Sequence, residues 1–128
     1  MKAFILSRVL SFRYAFSGWW YVIRTQRNAW IHALISLVVL VISAFLRLSL
    51  VEWAVIILTI ALVWTAEFLN TALEAVVDLT SPEQHDLAKI GKDVGAAAVL
   101  IAAGASILVG LLVLGPPLWN ILHSWLVP

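Results

Sequence analysis

The chain has 128 residues, 63% of them hydrophobic, with a mean hydropathy of +1.04, eight basic and seven acidic side chains, and a formal net charge of +1. An apolar share well above the about 45–50% of soluble domains excludes an ordinary water-soluble globule, and so balanced a charge offers no footprint for a nucleic-acid partner. There is no cysteine, which excludes a disulfide framework, a thiolate nucleophile and a Cys-based metal site.

Residues 2–24 are apolar but interrupted by Lys2, Arg8, Arg13 and Arg24, and they are dense in aromatics from Phe4 to Tyr21. Arg8 and Arg13 break the apolar run that a signal peptide would need, and no small-residue cleavage site follows, so the stretch is expected to belong to the mature protein. Its basic and aromatic character predicts an amphipathic helix lying in the membrane interface. Arg24 to Asn28 is a polar joint. Residues 29–46 are then apolar apart from His32 and two serines, about 27 Å of helix, enough to cross a hydrocarbon core. Residues 47–52 predict a short turn that sends the next span back antiparallel. Residues 53–77 form the second predicted span, about 37 Å long.

Ser81-Pro82-Glu83-Gln84 has the pattern of a helix start, with Ser81 as cap, Pro82 at the first helical position and Gln84 completing a capping box. The predicted helix runs on into a third span, residues 94–114. Gly95, Ala98, Ala102 and Ala105 give that span small sides suited to close packing. Gly115-Pro116-Pro117 is expected to stop it. The tail that follows is too short to cross a membrane and is expected to rest on the interface through Trp119 and Trp125. The whole reads as one all-α integral membrane domain over residues 1–128: a surface helix, three transmembrane helices and no soluble domain attached. Seven of the eight basic residues fall before the first span or between the second and third, and only Arg47 lies opposite. That asymmetry predicts a cytoplasmic N-terminus and a cytoplasmic connection between spans two and three.

Six of the seven acidic residues lie between Glu67 and Asp93. Glu67, Asn70, Glu74 and Asp78, at i, i+3, i+7 and i+11, share one helical face. A carboxylate inside a membrane span is costly and marks a site, unless it serves as interhelical glue; for Asn70 the two roles are equally open. Glu67 lies deeper and desolvated, which suits a general base. Glu74 lies at the interface, better placed to hold a hard cation such as Mg²⁺. Lys92 offers a point charge to a phosphate, and His85 stands seven residues before it. No glycine-rich phosphate loop is present, so phosphoryl transfer here would rely on metal and side chains. Pattern alone leaves Asp78, Glu83 and Asp86 as solvated loop residues, Lys89 and Lys92 as positive-inside anchors, and His32 and His123 as interfacial residues near span ends. The competing function is a non-catalytic membrane subunit whose polar stripe stitches helices together.

The stretches E-F-L-N-T-A-L-E-A-V-V-D and H-D-L-A-K-I-G-K-D-V-G-A-A-A-V-L-I closely resemble the signature of the prokaryotic diacylglycerol kinase family, which includes undecaprenol kinases. Weaker similarity covers F-R-Y-A-F-S-G-W and Q-R-N-A-W-I-H, so the resemblance spans about residues 8–112. It implies a homotrimer with composite sites in a bacterial plasma membrane, each protomer carrying a surface helix and three spans, that transfers the γ-phosphate of Mg·ATP to a lipid hydroxyl. It implies further that Glu67 is the catalytic base and Glu74 a metal-binding carboxylate. Glu83, His85, Lys92 and Asp93 then match nucleotide-binding positions, Asn70 and Tyr14 lie near the phosphates, and Gln84 contributes backbone contacts. The second metal-ligand position, commonly Glu in the family, falls on Gln26. Q-R-N-A-W-I-H is more similar to the undecaprenol kinase branch than to the diacylglycerol kinases, which implies undecaprenol as substrate with diacylglycerol as the alternative.

Overall fold

The computed structural model describes residues 1–81 and 85–126, with side chains from residue 8 onward. The described residues form four α-helices: α1 (Lys2–Thr25), α2 (Arg27–Phe45), α3 (Leu50–Thr80) and α4 (Asp86–Leu126). By length and composition α2, α3 and α4 are each able to cross a membrane, with mean hydropathies of 2.0, 1.8 and 2.7.

The connections are short and chemically specified. A single extended residue, Gln26 (φ −100°, ψ 117°), separates α1 from α2, which leaves its side chain at the corner between them. α2 ends in a Schellman-type turn: Leu48 N–H bonds Ser43 C=O and Arg47 N–H bonds Ala44 C=O. Arg47 takes the left-handed conformation there (φ 54°), a position that usually favours glycine. α3 begins earlier than its apolar run: Ser49 and Glu52 form a reciprocal capping box, so the expected 47–52 turn shrinks to residues 46–49. The S-x-x-E signal for this start is plain in the sequence.

Two expectations are corrected. Ser81 is the C-cap of α3, its N–H bonded to Val77 C=O, and the cap seen on α4 is His85, whose Nδ1 accepts the Leu87 N–H at 3.1 Å. Pro82, Glu83 and Gln84 lie outside the described residues. The expected stop at Gly115-Pro116-Pro117 is absent, because α4 continues through both prolines to Leu126. Two lost N–H donors cost less in an apolar helix than unwinding it would, since unwinding leaves many backbone groups unpaired away from water. Gly115 has no Cβ to meet the ring of the proline after it, which removes part of the usual clash.

α3 packs chiefly on α4, α2 on α3 and α1 on α2. The buried apolar side chains are few: Val22 and Ala29 near the α1–α2 corner, Ile56 and Val63 on α3, and Val99, Ala102 and Leu114 on α4. Large apolar side chains such as Leu34, Leu58, Leu100 and Leu112 face outward, the inverse of a soluble bundle and the pattern expected of helices solvated by lipid. Aromatic rings tie α1 to α3. Trp19 stacks on Trp64 at 4.9 Å and meets Phe68 at 5.0 Å, contacts of about 0.5–1.5 kcal/mol each.

Candidate active site

Among the described residues the largest side chain that is essentially fully buried is not apolar. It is Glu67, 1% exposed, and Asn70 and Thr71 on the next turn of α3 are buried with it. The stripe read from the spacing therefore faces the interior at Glu67 and Asn70, is half-buried at Glu74 and emerges on the surface at Asp78. Seven residues on, Glu74 organises the polar groups around it: Oε1 accepts from Asn70 Nδ2 at 3.2 Å, and Oε2 accepts from Gln26 Nε2 at 3.2 Å. Helical geometry supplies the first donor at i−4. The single non-helical residue between α1 and α2 supplies the second.

These groups line a cleft of about 560 Å³ together with Asn28, His32 and Asp93, and α4 closes its far side with Ala96, Ala97 and Val99. Beyond His32 lies a second cavity of about 350 Å³ between α2, α3 and α4, walled by apolar side chains including Ile35, Val39, Ile56 and Ile107. His32 borders both spaces. Its Nε2 stands 3.7 Å from Glu67 Oε2, so the buried carboxylate, which lines neither space itself, lies directly behind the side chain that borders both. Thr71 Oγ1 donates back to the Glu67 carbonyl at 2.9 Å, which occupies its hydroxyl and leaves the Glu67 carboxylate unshared with it.

The α3–α4 contact at this level depends on Gly95. A Cβ placed there would collide with Asn70 Oδ1 and stand 3.0 Å from Leu73 Cδ2. Gly95→Ala is therefore expected to push the Asn70 amide off Glu74 and to cost about 1–3 kcal/mol through overpacking. A melting curve in detergent checks this, and an unchanged midpoint would show that α4 slides to accommodate the methyl group.

The structure thus brings Gln26, Asn70, Glu74 and Asp93 around one cleft with Glu67 beneath them. It does not bring in three of the other expected residues. Lys92 pairs with Asp78 at 2.8 Å on an exposed surface. His85 is exposed and caps α4. Tyr14 is 70% exposed on α1 and does not line the cleft. Glu83 and Gln84 lie outside the described residues. His32 was expected at the interface and is instead part of the site. Depth was the available signal: His32 lies about 8 Å along α2 from Arg27 and Glu67 about 10 Å back along α3 from Glu74, so antiparallel spans place them at one level.

The sequence profile of the prokaryotic diacylglycerol kinase family matches residues 13–114. The chain is 47% identical over 115 residues to the diacylglycerol kinase of Synechocystis sp., an overlap of 89% of this chain and 66% of that protein. It is 42% identical over 108 residues to the undecaprenol kinase of Bacillus subtilis, covering 84% of this chain and 88% of the relative. Similarity to the diacylglycerol kinase of Escherichia coli K12 is 39% over 83 residues, or 59% of this chain and 68% of that one. Three membrane-length helices, a carboxylate buried in the second of them, and a match over most of its length agree: the chain belongs to the prokaryotic diacylglycerol kinase family, whose members are ATP-dependent lipid kinases.

Proposed function

We propose that this chain transfers the γ-phosphate of Mg·ATP to the hydroxyl of a membrane lipid, with undecaprenol preferred to diacylglycerol. The observation that carries this is Glu67, buried 3.7 Å from His32, the residue that borders both the cleft holding Gln26, Asn70, Glu74 and Asp93 and an apolar cavity able to take the lipid end that bears the hydroxyl. The enzyme works as a homotrimer in the bacterial plasma membrane, with α1 as an amphipathic surface helix and the cleft open to the cytoplasm. The uncovered apolar faces and the charge asymmetry support that arrangement.

In this mechanism the lipid hydroxyl approaches from the apolar side. Glu67 accepts its proton as the oxygen attacks the γ-phosphorus in line and ADP departs. Asn70 and Asp93, lining the cleft, bind and orient the nucleotide, and Tyr14, Glu83, Gln84, His85 and Lys92 complete its site from the rim as the family resemblance implies. Among the described residues no three His, Asp or Glu side chains form a self-sufficient metal cage. The oxygen donors of Glu74 and Gln26 instead fit a hard ion that takes its remaining ligands from water and substrate phosphates. Bound there, Mg²⁺ offsets phosphate charge.

Gln26 contributes a neutral amide where a carboxylate would attract the ion more strongly. Gln26→Glu is accordingly expected to lower the Mg²⁺ concentration for half-maximal activity several-fold. An unchanged magnesium titration would remove Gln26 from the metal site.

For the lipid, the Q-R-N-A-W-I-H stretch and the coverage of the Bacillus undecaprenol kinase support undecaprenol, while the name of the Synechocystis relative favours diacylglycerol. The deciding experiment offers both lipids in parallel to the purified protein in mixed micelles with Mg²⁺ and γ-labelled ATP. Faster labelling of undecaprenol supports the proposal, faster labelling of diacylglycerol reverses the preference, and no labelling of either lipid by folded protein refutes the activity.

A further inference from the structure

The mechanism leaves His32 without a part, yet it is the side chain that faces the base. His32 Nε2 and Glu67 Oε2 are both buried atoms without a hydrogen-bond partner, and they face each other at 3.7 Å across the α2–α3 contact. Each is what the other lacks, an imidazole N–H donor and a carboxylate acceptor. At 3.7 Å the pair lies beyond hydrogen-bond range, so it is not a closed interhelical tie. Two complementary buried groups held just out of contact are costly as structure alone. They are usual in catalytic sites, where hydrogen bonds stand long and tighten in the reacting complex.

The imidazole is also held in place. Trp64 meets it edge-on with ring centroids 6.4 Å apart. Trp64 Nε1 donates to Ser36 Oγ at 3.3 Å, one turn along α2 from His32, and the other side of Trp64 carries the Trp19 stack. A column of rings from α1 thus fixes the histidine against α3.

We propose that His32 is a positioning residue for Glu67: its Nε2–H holds Glu67 Oε2, leaving the second carboxylate oxygen to receive the proton of the lipid hydroxyl. This rests on Glu67 being the base. His32 itself exchanges no proton with the substrate. Its effect is larger on turnover than on binding of either substrate.

The test compares His32→Phe, His32→Gln and Glu67→Gln in the same micelle assay, with kcat and both KM values measured. His32→Phe keeps a ring but has no donor, and misaligning the base should lower kcat by about 10²-fold, a larger factor than the change in either KM. His32→Gln restores an N–H near the position of Nε2 and should recover most of that loss. His32→Leu, a second apolar variant, must match His32→Phe, which covers the case where the larger ring lowers the melting temperature. Near-normal kcat in the apolar variants, or no recovery in His32→Gln, overturns the proposal while Glu67→Gln remains inactive. Activity surviving in Glu67→Gln instead overturns the assignment of the base, and the role of His32 falls with it.

Discussion

Glu67→Gln is expected to lower turnover on the order of 10³-fold while nucleotide binding persists. The amide has nearly the volume of the carboxylate and can still hydrogen bond, so what is lost is the capacity to take a proton. If Glu67 served only to tie helices together, the outcome would be the opposite. A side chain 1% exposed, with Oε2 unpartnered, bears a desolvation cost that a neutral isostere relieves. A variant that had merely lost a tie between helices would instead keep its activity and melt lower. Single-turnover transfer from γ-labelled ATP, nucleotide titration and a melting curve therefore make one experiment. An inactive variant that binds nucleotide and melts higher than the parent is the mark of a site where stability has been given up for chemistry. Full turnover would return Glu67 to the role of glue.

Glu74→Gln should have the second-largest effect, for a different reason. Both carboxylate oxygens accept from amide donors, Gln26 Nε2 and Asn70 Nδ2. A glutamine at position 74 offers one acceptor oxygen and sets its own NH₂ against one of those donors. Leaving a buried donor unsatisfied costs about 1–3 kcal/mol, which a thermal melt without magnesium should show. The larger effect is on activity. The cleft loses the carboxylate proposed to hold the ion, so the magnesium requirement should rise about tenfold or more, a loss of roughly 1.4 kcal/mol or more in metal binding, with partial rescue at high Mg²⁺. A variant that melts lower but keeps its magnesium titration would make Glu74 a structural anchor for the α1–α2 corner and nothing else.

The helical class, the three membrane-length helices and the polar face of α3 were legible because each is a periodic feature of a single segment. Glu67, Asn70 and Glu74 fall on one face whatever packs against them. The capping box at Ser49 is equally local, but it lies outside the apolar run that marks the span. His32 was not legible from its own helix, where one histidine near a span end has an ordinary interfacial explanation. Only the antiparallel pairing of α2 and α3 puts it beside Glu67. The hydrogen bond from Gln26 to Glu74, 48 residues apart in sequence, belongs to the same class. The two prolines misled for a physical reason. Rules for helix termination are drawn from chains in water, where a freed carbonyl finds a solvent partner. A helix in hydrocarbon has no such partner and keeps its winding.

The helices are very unequal in length: 19 residues in α2 against 31 in α3 and 41 in α4, or about 28, 46 and 61 Å. Against a hydrocarbon core of about 30 Å, only α2 has no length to spare. Hydrophobic mismatch in a thicker or thinner bilayer must then be felt first by α2, while α3 and α4 absorb it by tilting or by extending further into water. α2 is also the helix that begins beside Gln26 and carries His32. Acyl-chain length in the host membrane consequently sets the depth of His32 and of the Gln26 corner relative to Glu67 on α3, through the one helix that cannot adjust.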